Sequence, residues 1–167
     1  TTKSTFANML ARFCERLPGA DVDVVTSAIG LDSRIGRKYL KGAIGYGGPC
    51  FPRDNAALTA LGFRIGAPVL LAEATDTANR EEVGRLADLV IDKLPPSGTV
   101  GLLGLAYKPN TDVTEESQGL LLAQELVKRG IPTVLYDPAA LDGVAETLDG
   151  RARIAPSTAE CIEQSDV

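Results

Sequence analysis

Histidine and tryptophan are absent from the 167 residues, and methionine occurs once. Without histidine, these residues can form neither an imidazole-based zinc site nor a Ser-His or Cys-His nucleophile pair. The three cysteines, Cys14, Cys50 and Cys161, form no CxxC pair. Their odd number, with no secretory leader, fits a reducing cytoplasm better than a disulfide framework. No apolar run reaches the roughly 18 residues of a membrane span. The opening TTKSTFANML has neither the basic start nor the apolar stretch of a leader, and does not read as an intact gene start. Positive charge is in deficit, with 17 basic residues against 22 acidic. That argues against a nucleic-acid backbone as partner, although a local basic cluster can still hold a small anion.

What is present is a chain of two characters. Through residue 94 the apolar spacing is helical. Phe6, Met9, Leu10, Phe13 and Leu17 recur at three- and four-residue steps and stop at Pro18-Gly19. Asp21 or Asp23 opens a second helix that closes at Gly30, and a short third one is expected after Asp32-Ser33, carrying Ile35, Tyr39 and Leu40. A Gly/Pro-rich loop follows over residues 42–54, then a helix from Asn55 to Gly62 and a long one over 68–94, striped by Val83, Leu86, Val90 and Leu94. Pro95-Pro96-Ser97-Gly98 breaks the pattern and divides the chain into domains 1–95 and 96–167. Beyond it, strands are expected at 99–107, 132–137 and 153–155, alternating with helices at 120–128, 138–148 and 157–164. That alternation specifies an α/β domain on a parallel sheet. Ser165-Asp166-Val167 reads as the approach to a further strand.

The segment GYGGPCFPRD, residues 45–54, concentrates unusual chemistry. Gly45, Gly47 and Gly48 permit positive φ or close approach of a ligand, and Pro49 and Pro52 stiffen the loop on either side of Cys50. A thiol so placed reads either as an inert core residue or as a thiolate favoured by a following helix N-terminus and by Arg53. Asp54 would orient a water or a ligand hydroxyl. Arg34, Arg37, Lys38 and Lys41 just upstream read either as a solvated helix face or as an anion site.

DSRIGRKYLKGAIGYGGPCFPRDNAAL closely resembles the active-site segment of the UDP-glucose/GDP-mannose dehydrogenase family, whose loop reads GFGGSCFPKD in typical members. LLGLAYKPNTDV resembles that family's LGLAFKPNTDD, and TFANMLARFCERLPGADVDVV its central domain. The resemblance covers nearly the whole chain. It implies a helical central dimerisation domain followed by a truncated Rossmann-like parallel α/β domain, with the family's N-terminal NAD domain and its Lys-x-x-x-Asn pair lying before position 1. Lys3 falls downstream of that lysine. Gly101 and Gly104 have the wrong spacing for a dinucleotide fingerprint and read as strand-packing residues.

The resemblance also implies a reaction. Such enzymes oxidise the C6 alcohol of a nucleotide sugar to a carboxylate, with two NAD reduced per turnover. Cys50 would be the nucleophile that turns the aldehyde into a thiohemiacetal and then a thioester, and Asp54 the acid that assists water. Arg34 would reach the nucleotide sugar of a partner subunit in a homodimer. Tyr39, Leu40, Lys41, Tyr46, Gly47, Phe51 and Lys108 would line the substrate, and Tyr107 would pack either on the ligand or in the core. Arg53 stands where the family has a cofactor-linked Lys, keeping the charge but not the shape, and Glu115 stands where it has Arg, a charge reversal. FPRD looks more like the UDP-glucose branch than the GDP-mannose branch, whose loop tends to read CLPKD. The alternatives are a GDP-mannose enzyme, a non-catalytic nucleotide-sugar-binding and dimerisation module, and a thiol enzyme using Cys50 alone. No nucleic acid, membrane or metal is expected as partner.

Overall fold

The computed structural model describes all 167 residues, Thr1–Val167. Packing sorts them into two units, Thr1–Tyr46 with Phe51–Arg80, and Gly47–Cys50 with Glu81–Val167. No helix is long and apolar enough to cross a membrane.

The first unit contains α1 (Thr2–Cys14), α2 (Val22–Ile29), α3 (Phe51–Ile65) and the first part of α4 (Leu70–Ile91). Asp21 caps α2, accepting from the backbone N–H of Asp23 at 2.7 Å and Val24 at 3.4 Å. The expected third helix does not form. The Asp32 carboxylate captures the backbone N–H of Arg34 at 2.9 Å, and Gly36 and Tyr39 adopt φ of 69° and 62°. A side-chain bond to local backbone competes with helix, and left-handed residues end one. The glycine-rich loop is also shorter than expected, because α3 begins at Phe51. Pro52 sits in its first turn, where a missing N–H removes no helical bond, so Asp54 lies on the helix rather than in the loop.

Helix α1 forms where the apolar spacing places it, but the large side chains do not make its buried face. Ala7 and Asn8 are buried, whereas Phe6, Met9, Phe13 and Leu17 are 42%, 43%, 60% and 57% exposed. Asn8 earns its burial by accepting the Ala43 N–H at 2.8 Å.

The second unit is built on three parallel strands in the order β1-β2-β3, with β1 at Val100–Leu103, β2 at Thr133–Tyr136 and β3 at Arg153–Ile154. Val100 pairs with Thr133, and Val134 with Arg153. β1 ends four residues short of expectation because Gly104 turns at φ 99°. Helices α5 (Gln118–Lys128), α6 (Val144–Thr147) and α7 (Thr158–Glu163) complete the unit, with α6 a single turn of the 138–148 helix expected. One core cluster joins Leu105, Leu120, Ala123, Leu135, Val144 and Leu148. A second joins Ala87, Val100, Leu122 and Leu126, flanked by Leu86, Val90, Ile91 and Leu94. The stripe on the second half of α4 thus packs into the C-terminal core, and the division by packing falls at Arg80/Glu81 rather than at the Pro95–Gly98 turn. Fully burying Leu126 alone stabilises by about 1.5–3 kcal/mol. Asp166 and Val167 run beside the outer edge of β1, with Asp166 N–H donating to Thr99 at 2.8 Å and Gly101 N–H to Val167 at 2.7 Å.

Candidate active site

Cys50 is the one exposed cysteine of the three. Cys161 is buried, with its sulfur against the carbonyls of Leu102 and Val134, and burial pushes its thiol up from the usual range. It is inert packing, and Cys14 is half-buried.

The loop that carries Cys50 is fixed within the second unit by backbone contact. Gly48 N–H donates to the Glu115 carbonyl at 3.1 Å. A Cβ on Gly47 would lie 2.1 Å from the Glu116 carbonyl oxygen. A Cβ on Gly48, which has φ 83°, would lie 2.5 Å from two ring carbons of Tyr107. The two glycines therefore allow chain to approach chain. Glu116, their counterpart, is itself left-handed at φ 51°.

Tyr107 is half-buried, and its N–H closes a loop onto the Val113 carbonyl at 3.0 Å. The exposed Lys108 holds its ammonium 5.2 Å from the Tyr107 ring centroid. Just upstream, the Asp137 carboxylate, 4% exposed, accepts from Leu105 N–H at 2.7 Å and Ala106 N–H at 3.1 Å with one oxygen. With the other it accepts from Ala139 and Ala140, both at 2.8 Å. Burial pushes this carboxyl up, but the four N–H donors outweigh it and hold it below the usual carboxylate value.

In the first unit, Phe51 meets the rings of Tyr39 and Tyr46 edge-on, at centroid distances of 5.9 and 6.4 Å. An open pocket of about 410 Å³ is lined by Thr1, Thr2, Lys3, Tyr39 and Phe51. Lys3 donates to the Ile35 carbonyl beside it. Tyr46 is clasped by Asn79, whose Oδ1 accepts the Tyr46 N–H at 2.8 Å and whose Nδ2 donates to the Tyr46 carbonyl at 3.0 Å. Burial and the nearby Asp76 carboxylate push the Tyr46 phenol up to about 12, with Arg80 opposing. Leu40 is a core side chain, 6% exposed, while Lys41 is exposed. Arg34 turns back on Asp32 at 2.6 Å, which raises the arginine and lowers the aspartate from their usual values. Arg53 and Asp54 form a loose exposed pair at 3.4 Å.

The structure therefore groups Tyr39, Tyr46 and Phe51 in one unit, and Gly47, Cys50, Tyr107 and Lys108 in the other. Asn79 and Asp137 escaped the sequence reading. Asp137 closes the apolar run of β2, which was the available signal, whereas Asn79 lies among the mostly polar residues 75–82 and nothing in the sequence sets it apart. Of the two glycines read as strand-packing residues, Gly101 is taken up by packing, since a Cβ there would lie 2.5 Å from Ser165 Oγ, whereas Gly104 is exposed, with nothing within 4 Å of a Cβ, and serves the turn at φ 99° that ends β1.

Residues 1–81 match the central domain of the UDP-glucose/GDP-mannose dehydrogenase family, and residues 101–167 match that family's UDP binding domain. The chain is 36% identical over 167 residues to UDP-glucose 6-dehydrogenase TuaD of Bacillus subtilis, covering 99% of this chain and 36% of that protein. It is 37% identical over 166 residues to UDP-glucose 6-dehydrogenase AglM of Haloferax volcanii, covering 99% of this chain and 38% of that one. A UDP-glucose dehydrogenase structure from Pyrobaculum islandicum superposes with a TM-score of 0.87 at 33% identity, over 99% of this chain and 38% of that chain. A GDP-mannose dehydrogenase structure from Pseudomonas aeruginosa, at 24% identity and a TM-score of 0.68 over 98% of this chain and 40% of that one, shares the fold. The chain thus spans little more than a third of the proteins it matches, over two successive domains, and it belongs to the UDP-glucose/GDP-mannose dehydrogenase family.

Proposed function

We propose that, in the whole protein, these residues serve the NAD-dependent oxidation of the C6 alcohol of UDP-glucose to the uronate. The observation that carries this reading is the exposed Cys50 thiol on a loop docked by its glycines, in a chain of this family. NAD would supply the hydride acceptor, and Arg53 is the residue of this chain that would reach toward it.

The work of this chain lies at the carbon being oxidised. Cys50 Sγ adds to the aldehyde carbon, forming a C–S bond while the carbonyl oxygen takes a proton. Once that carbon has reached the thioester level, water attacks it, the C–S bond breaks, and the carboxylate leaves as one proton of the water returns to the sulfur. Asp54 accepts the other proton of that water. Lys108 meets the negative charge of the UDP-sugar as a point charge, while Arg34, Tyr39, Lys41, Tyr46, Gly47 and Phe51 line or support the sugar and nucleotide. Arg34 would have to release Asp32 to do so. The UDP-glucose branch is favoured over GDP-mannose by the FPRD loop and by the names of the relatives above 30% identity. We also assign the protein to the cytoplasm, on its free thiols.

The homodimer belongs to the same proposal. The stripe on α4 no longer supports it, since it packs internally. Support comes instead from the exposed apolar side chains of the first unit, among them Phe13 on α1 and Phe63 on α3, the latter 90% exposed. The same surface favours the second reading, a binding and dimerisation module without catalysis.

Cys50→Ser in the full-length protein separates the two. Uronate formation should fall by orders of magnitude while UDP affinity holds. Uronate at near the wild-type rate would remove Cys50 from the mechanism.

A further inference from the structure

We infer that Tyr107 is a positioning residue for Cys50, acting through Gly48, rather than a platform for the ligand. The inference rests on Cys50 being the nucleophile.

The ring and the loop are in such close approach that position 48 has no room for a side chain. A Cβ there would lie 2.5 Å from Tyr107 Cδ2 and Cε2, and 3.1 Å from Cγ. Gly48 is buried, while Cys50, two residues on, is exposed. Between them stands Pro49, whose fixed φ limits how far the thiol can swing once Gly48 is seated. A second contact holds the same loop from the other side, with Gly48 N–H on Glu115 and the Gly47 Cα against the Glu116 carbonyl.

The ring is itself well mounted. The Tyr107 backbone N–H donates to the Val113 carbonyl at 3.0 Å. The two residues before it are pinned by Asp137. Tyr107 is thus the one side chain at the junction between a rigid backbone mount and the nucleophile loop. The ring also faces the Lys108 ammonium, 5.2 Å from its centroid. Removing the ring leaves Gly48 unsupported and free to shift. Displacement of a reacting group by about 1 Å can cost up to roughly a hundredfold in rate.

The test uses the full-length enzyme and three readouts: kcat with UDP-glucose, UDP affinity by calorimetry, and the rate at which iodoacetamide alkylates Cys50, followed by mass spectrometry. Tyr107→Phe keeps the ring and should hold kcat and alkylation within about twofold of wild type. Tyr107→Ala should lower kcat by about tenfold or more and change the alkylation rate at least about threefold. UDP affinity should fall by no more than roughly fivefold, the scale of one exposed cation–π contact. If Tyr107→Ala does not fold, Tyr107→Leu carries the same expected split, since it fills space without a planar seat. Wild-type kcat and alkylation in the folded variant overturn the inference, as does a loss confined to UDP affinity. A Cys50→Ser enzyme that still makes uronate defeats the underlying assignment. An inactive Cys50→Ser beside a fully active Tyr107→Ala defeats the positioning role alone.

Discussion

Replacing Asp137 by Asn changes one atom of a carboxylate that holds two loops together. The native side chain accepts four backbone N–H groups, two on each oxygen. The amide keeps one oxygen and turns an NH2 group toward the other pair of donors. One buried and one part-buried N–H group then lose their acceptor, at about 1–3 kcal/mol each before the chain relaxes. We expect a net loss of about 3 kcal/mol, a large share of the roughly 5–15 kcal/mol that holds a domain folded. With a urea m-value of about 1–3 kcal/mol/M, the midpoint for the second unit should drop by about 1–3 M. Amide exchange at one of the two pairs, Leu105 with Ala106 or Ala139 with Ala140, should accelerate more than exchange in α7. The pH dependence has a fixed sign. Asp137 is held below its ordinary value in the fold, so its ionised form stabilises fully above the usual carboxylate range and loses that effect as pH falls through the lowered value. The gap between wild type and variant should therefore narrow in acid. An unchanged midpoint at neutral pH, with exchange at all four amides as in wild type, would refute the reasoning.

Three other outcomes can be checked. Lys108→Ala should weaken UDP-glucose binding by roughly ten- to a hundredfold, the loss of one charge-assisted contact of about 1.5–3 kcal/mol, without unfolding, since Lys108 is exposed; wild-type titrations at one salt concentration would count against it. The Tyr46 phenol is raised to about 12, so its stabilising effect is intact below the ordinary tyrosine value of about 10 and is lost as pH climbs to that raised value. Tyr46→Phe should remove a late tyrosinate step from the ultraviolet titration, and a titration that keeps that step would show the assignment to be mistaken. The chain should sediment as a dimer at micromolar concentration, and Phe13→Asp with Phe63→Asp should shift it toward monomer; a wild-type monomer at that concentration would contradict the proposed interface.

The elements legible in the sequence are those whose ends are set by adjacent residues. Asp21 and Gly30 bound α2 because a cap acts over one turn. Ser117 and Ser157 likewise cap α5 and α7. The helix expected after Asp32 failed on the same ground, since the Asp32 side chain holds the Arg34 N–H in a turn and two left-handed residues follow. Periodicity found α1 but not its buried face, because spacing reports a helix without saying what lies opposite each side. At the candidate site, the Cys50 loop stood out by composition. The purpose of Gly47 and Gly48 did not, since their counterparts, Tyr107 and Glu116, lie some sixty to seventy residues away in sequence. Asp137 showed only as a polar residue closing an apolar strand; its role did not, because half of its donors follow the neighbouring strand β1, some thirty residues earlier.

The four residues Gly47–Cys50 leave the unit that flanks them in sequence and pack with the one that follows residue 80. This bears on how such enzymes can be recombined. A hybrid that joins the helical half of one relative to the C-terminal half of another, cut at the tempting Pro95–Gly98 turn, inherits its Cys50 loop from one parent and the seat for that loop from the other. The seam then lies far from the splice, at Gly48 against residue 107 and Gly47 against residue 116, where misfit of a few tenths of an ångström has no slack to absorb it. The segments that must travel together in such an exchange are 47–50 and 105–117, so parents should be chosen by compatibility between those two stretches before overall identity is weighed.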